Sequence, residues 1–260
     1  MPSFDDKPVA LATNVAENIA QKPRIYFEPS GSYELAENIF DKHTTTFDET
    51  ETLTSSGMVP THARLSMLLS PNNFDTIIFH GDFEGATEIK VYADSELLWS
   101  GPSTSRRAIF TETKTAAYVY VEVYGDGKFK FYQVWVGKRI EMPNKGTRPY
   151  NASSTTSSTS DFVSDSGAVS RYTYFSGKLE LEFDFFIDTD ADAQKYKDLF
   201  SQSQHGTSPI YWIEDPDTHP ERPVLMFLGT DLGLTYTGPN RREASLTLSE
   251  QGPKFISAEI

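Results

Sequence analysis

The chain has 260 residues, of which 38% are hydrophobic and 23% charged, a length that suits one large or two ordinary globular domains. Cysteine is absent, which excludes disulfide bonds, thiolate metal sites and a cysteine nucleophile. The 37 acidic and 23 basic side chains give a net charge of -14, the wrong sign for wrapping nucleic acid or an anionic membrane. The sequence has neither a run of roughly 18 apolar residues, as a transmembrane helix needs, nor the parts of a signal peptide. We therefore expect a protein that is kept in a reducing compartment or leaves it by lysis.

Alternating hydrophobicity in the first half predicts short strands. The clearest segment is 116–124, which places valines on one face and tyrosines with Glu122 on the other. Residues 125–127 predict a turn, because glycine tolerates the positive φ of a tight hairpin, and 128–136 predict the returning strand. Further strands are predicted at 75–79, 87–92 and 96–99. Many short strands with polar turns favour a β-sandwich or jelly roll.

The longest change in composition lies near the middle of the chain. Residues 151–160 are mostly serine and threonine and can bury almost nothing, so we interpret them as a connector. The predicted organisation is an N-terminal extension over 1–24, a jelly roll over 25–148, a Ser/Thr-rich linker over 149–160 and a second β domain over 161–260.

The second half begins with the strictest alternation in the sequence. From Leu179 to Ile187 every second residue is a large apolar one, which predicts an amphipathic strand. Thr189 or Asp190 then caps a helix over 191–203, whose acidic first turn suits the helix dipole. Later strands are predicted at 209–213, 223–228, 233–236 and 243–249. The predicted fold class is mainly β: a β-sandwich or jelly roll followed by an antiparallel β-sandwich with one inserted α-helix.

Local motifs for catalysis are absent. The sequence has no glycine-rich dinucleotide or triphosphate loop, no G-x-S-x-G elbow and no H-E-x-x-H pair, and its five histidines are scattered. Residues 188–192 resemble the opening of a calcium loop, but Ala193 stands where that loop needs glycine, so a helix cap is the better interpretation. Residues 214–217 with His219 are interpreted as a solvated acidic loop. We predict no enzymatic activity, no metal and no cofactor.

Aromatic side chains, 13% of the chain, are the remaining candidates for binding. Most of them lie on alternating strands, where a core or sheet-face position is expected, whereas Trp99 closes a predicted strand just before a turn. The candidates for contact with a carbohydrate or a partner are His80, Asp82, Phe83 and Trp99. The candidates for a subunit interface, each of which could equally belong to the core, are Tyr211, Trp212 and Phe227.

The order of several segments resembles two known families. The segments 36–45, 77–79, 88–94 and 118–123 resemble galactose-binding-like (discoidin-type) jelly rolls. Distal-tail and tail-tip proteins of long-tailed bacteriophages are similar in the order of the segments 134–138, 164–171, 209–216 and 241–250. The second resemblance implies a tail-type β-sandwich with one helix that assembles into rings of three or six copies.

The phage resemblance implies a structural virion protein of the tail tip or baseplate, made in the host cytoplasm, that connects the tail tube to tip or receptor-binding proteins. Its partners would be itself and other tail-tube and baseplate proteins, without membrane insertion or specific nucleic-acid binding. Residues 161–260 hold 17 acidic and 8 basic side chains, so an acidic lumen would let DNA pass without sticking. The alternative is a non-catalytic carbohydrate-binding module or host-surface adhesin that binds a host-surface glycan. A glycan-hydrolysing enzyme is the third hypothesis.

Overall fold

The structure is a computed structural model that describes residues 3–5, 7–15, 23–28, 33–36, 48–49, 61–127, 129–144, 153–155, 159–163, 169–173, 178–229, 234–238 and 241–250. Within these ranges the chain is mainly β and contains one helix, which confirms the predicted fold class. The chain divides into two compact units, Met1–Met142 with Ile210–Val224 and Pro143–Pro209 with Leu225–Ile260. The described part of the chain holds no helix with the length and hydropathy of a membrane span.

Strands and helix are numbered in chain order. The first ten strands are β1 (Val9–Leu11), β2 (Arg24–Glu28), β3 (Tyr33–Leu35), β4 (Asp48–Glu49), β5 (His62–Phe83), β6 (Ala86–Ala93), β7 (Glu96–Gly101), β8 (Arg106–Gly125), β9 (Phe129–Gly137) and β10 (Ile140–Glu141). The remaining elements are β11 (Ser153–Thr155), β12 (Thr159–Val163), β13 (Val169–Thr173), β14 (Lys178–Ile187), α1 (Asp190–Gln202), β15 (Ile210–Ile213), β16 (Val224–Leu228), β17 (Thr235–Gly238) and β18 (Arg241–Glu250).

The main sheet of the first unit is antiparallel, with the strand order β3-β2-β5-β8-β6-β7, and β9 pairs with β4 and β5. Strands β5 and β8 are long, and their pairing shifts register between Leu68 and Asn72 and again between Phe74 and Thr76. Such irregularities bend a strand and increase its twist. The second half of β5 consequently pairs with β9 as well as with β8, which gives the curled sheets of a sandwich-like jelly roll.

The core of the first unit lies against one face of this sheet. Val119, Val121 and Val123 of β8 are fully buried, as the alternation predicts, and they pack in one cluster with Leu65 of β5 and Val91 of β6. Gly125 ends β8 with a φ of +138°, and a Cβ there would lie 2.3 Å from the carbonyl oxygen of Gly85. The predicted glycine turn therefore stands where a side chain would clash with the neighbouring turn.

Three strands of the first unit, β1, β10 and β15, bring together residues that are distant in sequence. Strand β1 pairs with β10 and with β15, and its three residues are fully buried. This arrangement differs from the predicted boundaries, which set 1–24 apart as an extension and assigned 210–224 to the second domain. The physical reason is that Val9–Leu11 is wholly apolar and fully buried, so its backbone groups need hydrogen-bond partners, which the distant strands β10 and β15 supply.

The second unit contains an antiparallel sheet in which β14 pairs with β11 and β18, and β18 also pairs with β16 and β17. Strands β12 and β13 form a separate two-stranded sheet. Strand β11 and the start of β12 lie in the predicted linker, since serine and threonine can form strands when neighbouring strands supply hydrogen bonds. Two of the segments that carry the family resemblances, 36–45 and 164–171, are only partly described. Their residues 37–45 and 164–168 lie outside the described residues.

The helix of the second unit follows β14 directly. Its N-cap is Thr189, whose hydroxyl accepts a hydrogen bond from the Asp192 amide, and acidic residues occupy the first turn, as the sequence predicts. Tyr196 on the buried side of α1 makes an edge contact with Phe185 of β14, with ring centroids 5.5 Å apart. The strict alternation of β14 therefore provides the apolar face that the helix covers.

Candidate functional site

The outer face of the main sheet in the first unit is polar and aromatic. It is opposite the core valines, because successive side chains of a strand point to opposite sides. The register places Arg64 and Lys90 on either side of Glu122, and Ser66 and Tyr92 on either side of Tyr120. We call this surface the polar face, and it comprises Tyr26, His62, Arg64, Ser66, Glu88, Lys90, Tyr92, Tyr118, Tyr120, Glu122 and Tyr124.

An open cleft of about 410 Å³ lies on the polar face. We call it the tyrosine cleft, and its lining residues are Arg64, Tyr92, Asp94, Ser95, Tyr120, Glu122 and Tyr124. Residues of three strands and one turn meet here, so the cleft depends on sheet register rather than on a local motif. Its volume falls in the range of small-ligand sites, which is roughly 300–1,000 Å³.

The turn between β6 and β7 forms one wall of the cleft. Asp94 has a φ of +49° there, a left-handed conformation that aspartate tolerates better than most residues. Its carboxylate accepts hydrogen bonds from the backbone amides of Tyr118 at 2.9 Å and Ala117 at 3.2 Å. These bonds attach the turn to β8 and hold the Asp94 carboxylate in a defined position at the cleft.

Glu122 organises the floor of the cleft. Its side chain is only 4% exposed, and its Oε1 lies 2.5 Å from both Nε and Nη2 of Arg64. The Tyr124 hydroxyl donates a 2.5 Å hydrogen bond to Oε2. A buried carboxylate is tolerated when its charge is paired and its oxygens accept hydrogen bonds. Glu122 is thus occupied by protein partners, and the groups that face a ligand are Arg64 and the tyrosines.

The hydroxyls of Tyr120 and Tyr124 remain protonated at neutral pH. Burial raises the pKa of Tyr124 well above its usual value, and the hydrogen bond to Glu122 raises it further. Burial also raises the pKa of Tyr120, with a smaller contribution from Tyr118. The imidazole of His62 stacks on the Tyr124 ring, with centroids 4.4 Å apart and planes 9° apart, which fixes that ring from the β5 side.

The two cations of the polar face lie over aromatic rings. Cζ of Arg64 is 5.4 Å from the Tyr120 centroid, and Nζ of Lys90 is 4.7 Å from the Tyr124 centroid, both distances typical of cation–π contacts. Lys90 also pairs with Glu88 at 3.1 Å. The face therefore combines tyrosine rings with fixed donors and acceptors.

Trp99, predicted as a ligand or partner contact, lines a different and smaller cavity of about 240 Å³ in the first unit. Trp99 is 9% exposed, and Cζ of Arg107 lies 5.0 Å from the centroid of its ring. A Cβ at Gly101 would lie 2.4 Å from the same ring, so Gly101 packs directly against it. Because Arg107 and Gly101 cover the ring in this way, little of Trp99 is left as a platform for stacking on a ligand.

The other predicted contact residues lie apart from both cavities. Phe83 is a core residue that packs against Phe79 and Phe131. His80 is half-buried beside Tyr132, and burial together with the charge of Arg106 lowers its pKa to about 4, so its imidazole is neutral at pH 7. Asp82 is exposed. The structure does not bring His80, Asp82, Phe83 and Trp99 together in one site.

The predicted interface residues differ in burial. Tyr211 is buried, with its hydroxyl donating to Gln133 Oε1 at 2.9 Å and its ring in edge contact with Trp135. Trp212 is buried as well, whereas Phe227 is half-buried. Tyr211 and Trp212 thus occupy the core positions that the sequence left open as an alternative, and their role between subunits stays a prediction.

None of the residues of the tyrosine cleft is among the site residues that the sequence predicts. The alternation over 116–124 did identify Tyr120 and Tyr124 as outward-facing, but it gave no sign of Arg64, Tyr92 or Asp94 beside them. The available signal was the unusual density of tyrosine and charge on the outer face of a strand. Within the described ranges, no three His, Asp or Glu side chains converge as they would around a metal ion.

Solved structures with a partly similar fold include a fucosidase and a chitosan-binding module. A GH29 fucosidase mutant of Ruminococcus gnavus in complex with fucose matches with 19% identity and a TM-score of 0.38 over 50% of this chain and 27% of that chain. Chitosan-binding module 1 of a Paenibacillus sp. IK-5 chitosanase/glucanase matches with 16% identity and a TM-score of 0.36 over 48% of this chain and 98% of that chain.

A third solved structure is CpGH89CBM32-5 of Clostridium perfringens in complex with GalNAc-β-1,3-galactose. It matches with 13% identity and a TM-score of 0.36 over 45% of this chain and 94% of that chain. This chain thus spans about a quarter of the fucosidase that it matches. No family model and no curated protein matches the sequence. The geometry of the tyrosine cleft is therefore the basis for assigning a function.

Proposed function

We propose that the first unit binds a carbohydrate in the tyrosine cleft without altering it chemically. The observation that carries this proposal is an open cleft of about 410 Å³ in which tyrosine rings alternate with fixed hydrogen-bonding groups. A sugar presents apolar C–H faces and a rim of hydroxyls. Tyrosine suits such a ligand, because its ring is apolar and its hydroxyl is polar.

Aromatic contact would come from Tyr92 and Tyr120, which are half-buried and adjacent across β6 and β8. Polar contact would come from Arg64, Asp94 and Ser95 around them. Half-buried aromatic side chains keep their orientation while leaving surface for a ligand, and they carry a large share of the binding energy at many interfaces. This combination supports binding of a polyhydroxy ligand.

The cleft is also organised before any ligand arrives. Glu122 holds the Arg64 guanidinium, and two backbone amides hold the Asp94 carboxylate. Groups that are already in position lose less conformational entropy on binding, so more of the interaction energy appears as affinity. Preorganisation of this kind is expected of a binding surface.

Calorimetric titration of the full chain with neutral, acidic and amino-sugar oligosaccharides tests the proposal. We expect at least one of them to bind, and we expect Tyr120→Ala and Tyr92→Ala each to weaken that binding about tenfold through loss of ring contact. Tyr132→Ala is the matched control, since Tyr132 lies on β9 beside His80 and outside the cleft. Absence of binding to every sugar, or an equal loss in all three variants, would refute the proposal.

Ring assembly at a phage tail tip stays a prediction from the order of sequence segments alone. Sugar binding in the first unit and self-assembly are compatible, because the tyrosine cleft uses one face of one sheet. The solution mass of the full chain, measured by light scattering over a concentration series, tests the predicted rings of three or six copies.

A further inference from the structure

We infer that the tyrosine cleft selects uncharged sugars over acidic ones, and that Glu122 is the positioning residue that sets this selectivity through Arg64. The inference rests on the proposed carbohydrate binding and adds the class of ligand. It depends on two observations: the free hydrogen-bond donors of Arg64, and the pairing of charges within the cleft.

Arg64 offers a fixed set of donors to the cleft. A guanidinium has five N–H groups in a planar fork. The Nε donor and an Nη2 donor face Oε1 of Glu122, and the remaining N–H groups have no partner among the residues that the structure describes. The Arg64 side chain is 45% exposed, so this outer edge of the fork is accessible to a ligand. Neighbouring hydroxyl oxygens of a sugar are suitable acceptors for such an edge.

The charge of Arg64 is already compensated. Glu122 contacts the guanidinium at 2.5 Å, and among the cleft-lining residues Asp94 adds a second negative charge, so the lining has one cation and two anions. At the rim, Lys90 is paired with Glu88 at 3.1 Å. An acidic sugar would therefore meet a surplus of negative charge in a chain whose net charge is -14.

Glu122 acts on the ligand only indirectly. Its side chain is 4% exposed, and its two oxygens are occupied by Arg64 and by the Tyr124 hydroxyl. Replacing the carboxylate with an amide would keep the size of the side chain and remove its charge. The lining would then hold one cation and one anion, Arg64 and Asp94, instead of a surplus of negative charge. The Arg64 guanidinium would no longer contact a carboxylate, so it would attract an acidic sugar.

The test compares neutral β-linked glucose oligosaccharides with oligogalacturonates of equal length by calorimetric titration of the full chain. We expect the wild type to bind the neutral probe at least tenfold more tightly than the acidic one. Glu122→Gln is expected to reduce this ratio about tenfold, mainly by improving acidic binding. A purely structural role for Glu122 would weaken both probes equally and leave the ratio unchanged.

Arg64→Lys keeps the positive charge and removes the planar set of guanidinium donors. Because the Arg64 side chain is 45% exposed, we expect this variant to fold. We expect it to bind the neutral probe about tenfold more weakly, with the thermal unfolding midpoint retained.

Equal or tighter binding of oligogalacturonate by the wild type would overturn the inference and leave the proposed function standing. An unchanged ratio in Glu122→Gln together with unchanged neutral binding in Arg64→Lys would also overturn it. Absence of binding to both probes and to the amino-sugar panel would reject the proposed function itself.

Discussion

Strands β8 and β14 alternate in the same way but carry different outer faces. The inner side of β8 buries Val119, Val121 and Val123 in the core of the first unit, and the inner side of β14 buries Phe183 and Phe185 in that of the second. Outward, β8 presents tyrosines around a buried glutamate. Strand β14 presents acidic side chains instead, and Glu182 is exposed to solvent.

The difference arises from the neighbouring strands. Beside the outer residues of β8 the register places Arg64 and Tyr92, whose size and charge build a cleft. Beside Asp184 of β14 it places Ser245 of β18, whose hydroxyl donates to the Asp184 carboxylate. Alternation therefore determines which residues leave the core, but the cross-strand partners determine whether the outer face forms a site.

The largest expected effect tests whether the inner face of β14 is a buried core face like that of β8. Phe185→Ala should lower the free energy of unfolding by about 3–5 kcal/mol, because it leaves a cavity beside Phe183 and Tyr196. Glu182→Ala on the outer side of the same strand should change it by less than about 0.5 kcal/mol. Urea unfolding of both variants measures the difference. Similar losses would contradict the assignment of inner and outer faces on β14.

The alternation of apolar residues was sufficient to predict much of the fold. It located the strands that became parts of β5, β6, β7, β8, β9, β14, β15, β16, β17 and β18, and the cap at Thr189 located α1. It did not predict that β5 continues from His62 to Phe83, since a proline such as Pro71 normally ends a strand. The strand passes Pro71 where its pairing with β8 shifts register, between Leu68 and Asn72. Nor did it predict the pairing of β1 with β15, since pairing between distant segments leaves no local pattern.

The candidate site was harder to predict than the fold. Sequence alone favoured Trp99 and the loop 80–85, where aromatic and polar residues are close in sequence. Arg64, Asp94 and Tyr120 are far apart in sequence and come together only through the register of three strands and the turn after β6. Whether an aromatic ring is covered also depends on packing, as the contact of Arg107 with Trp99 illustrates.

A smaller effect is expected at the turn that supports the outer face of β8. Asp94→Ala removes the acceptor for the Tyr118 amide and places a residue less tolerant of positive φ at +49°, so it should cost about 1–2 kcal/mol of stability. Asp94→Gly removes the same acceptor but tolerates the turn, and it should cost less. Thermal unfolding separates the two contributions. Equal stability of Asp94→Ala and the wild type would show that the turn does not depend on this carboxylate.

The smallest expected effect concerns the pH dependence that the outer face of β8 adds to stability. Burial and the Glu122 hydrogen bond raise the pKa of Tyr124 above its unfolded value of about 10, so above that pH the unfolded chain loses this proton first and stability falls. Tyr124→Phe should cost about 1 kcal/mol at neutral pH through loss of the hydrogen bond. It should also make the decline of stability at alkaline pH shallower. Tyr196 and Tyr211, whose pKa values burial also raises, should maintain the rest of that decline.

Urea unfolding of both chains at neutral pH and above pH about 10 measures the two slopes of stability against pH. If stability declines with the same slope in both chains at alkaline pH, Tyr124 ionises equally in the folded and unfolded states. The outer face of β8 would then differ from that of β14 in shape and packing, and not in the protonation of a tyrosine.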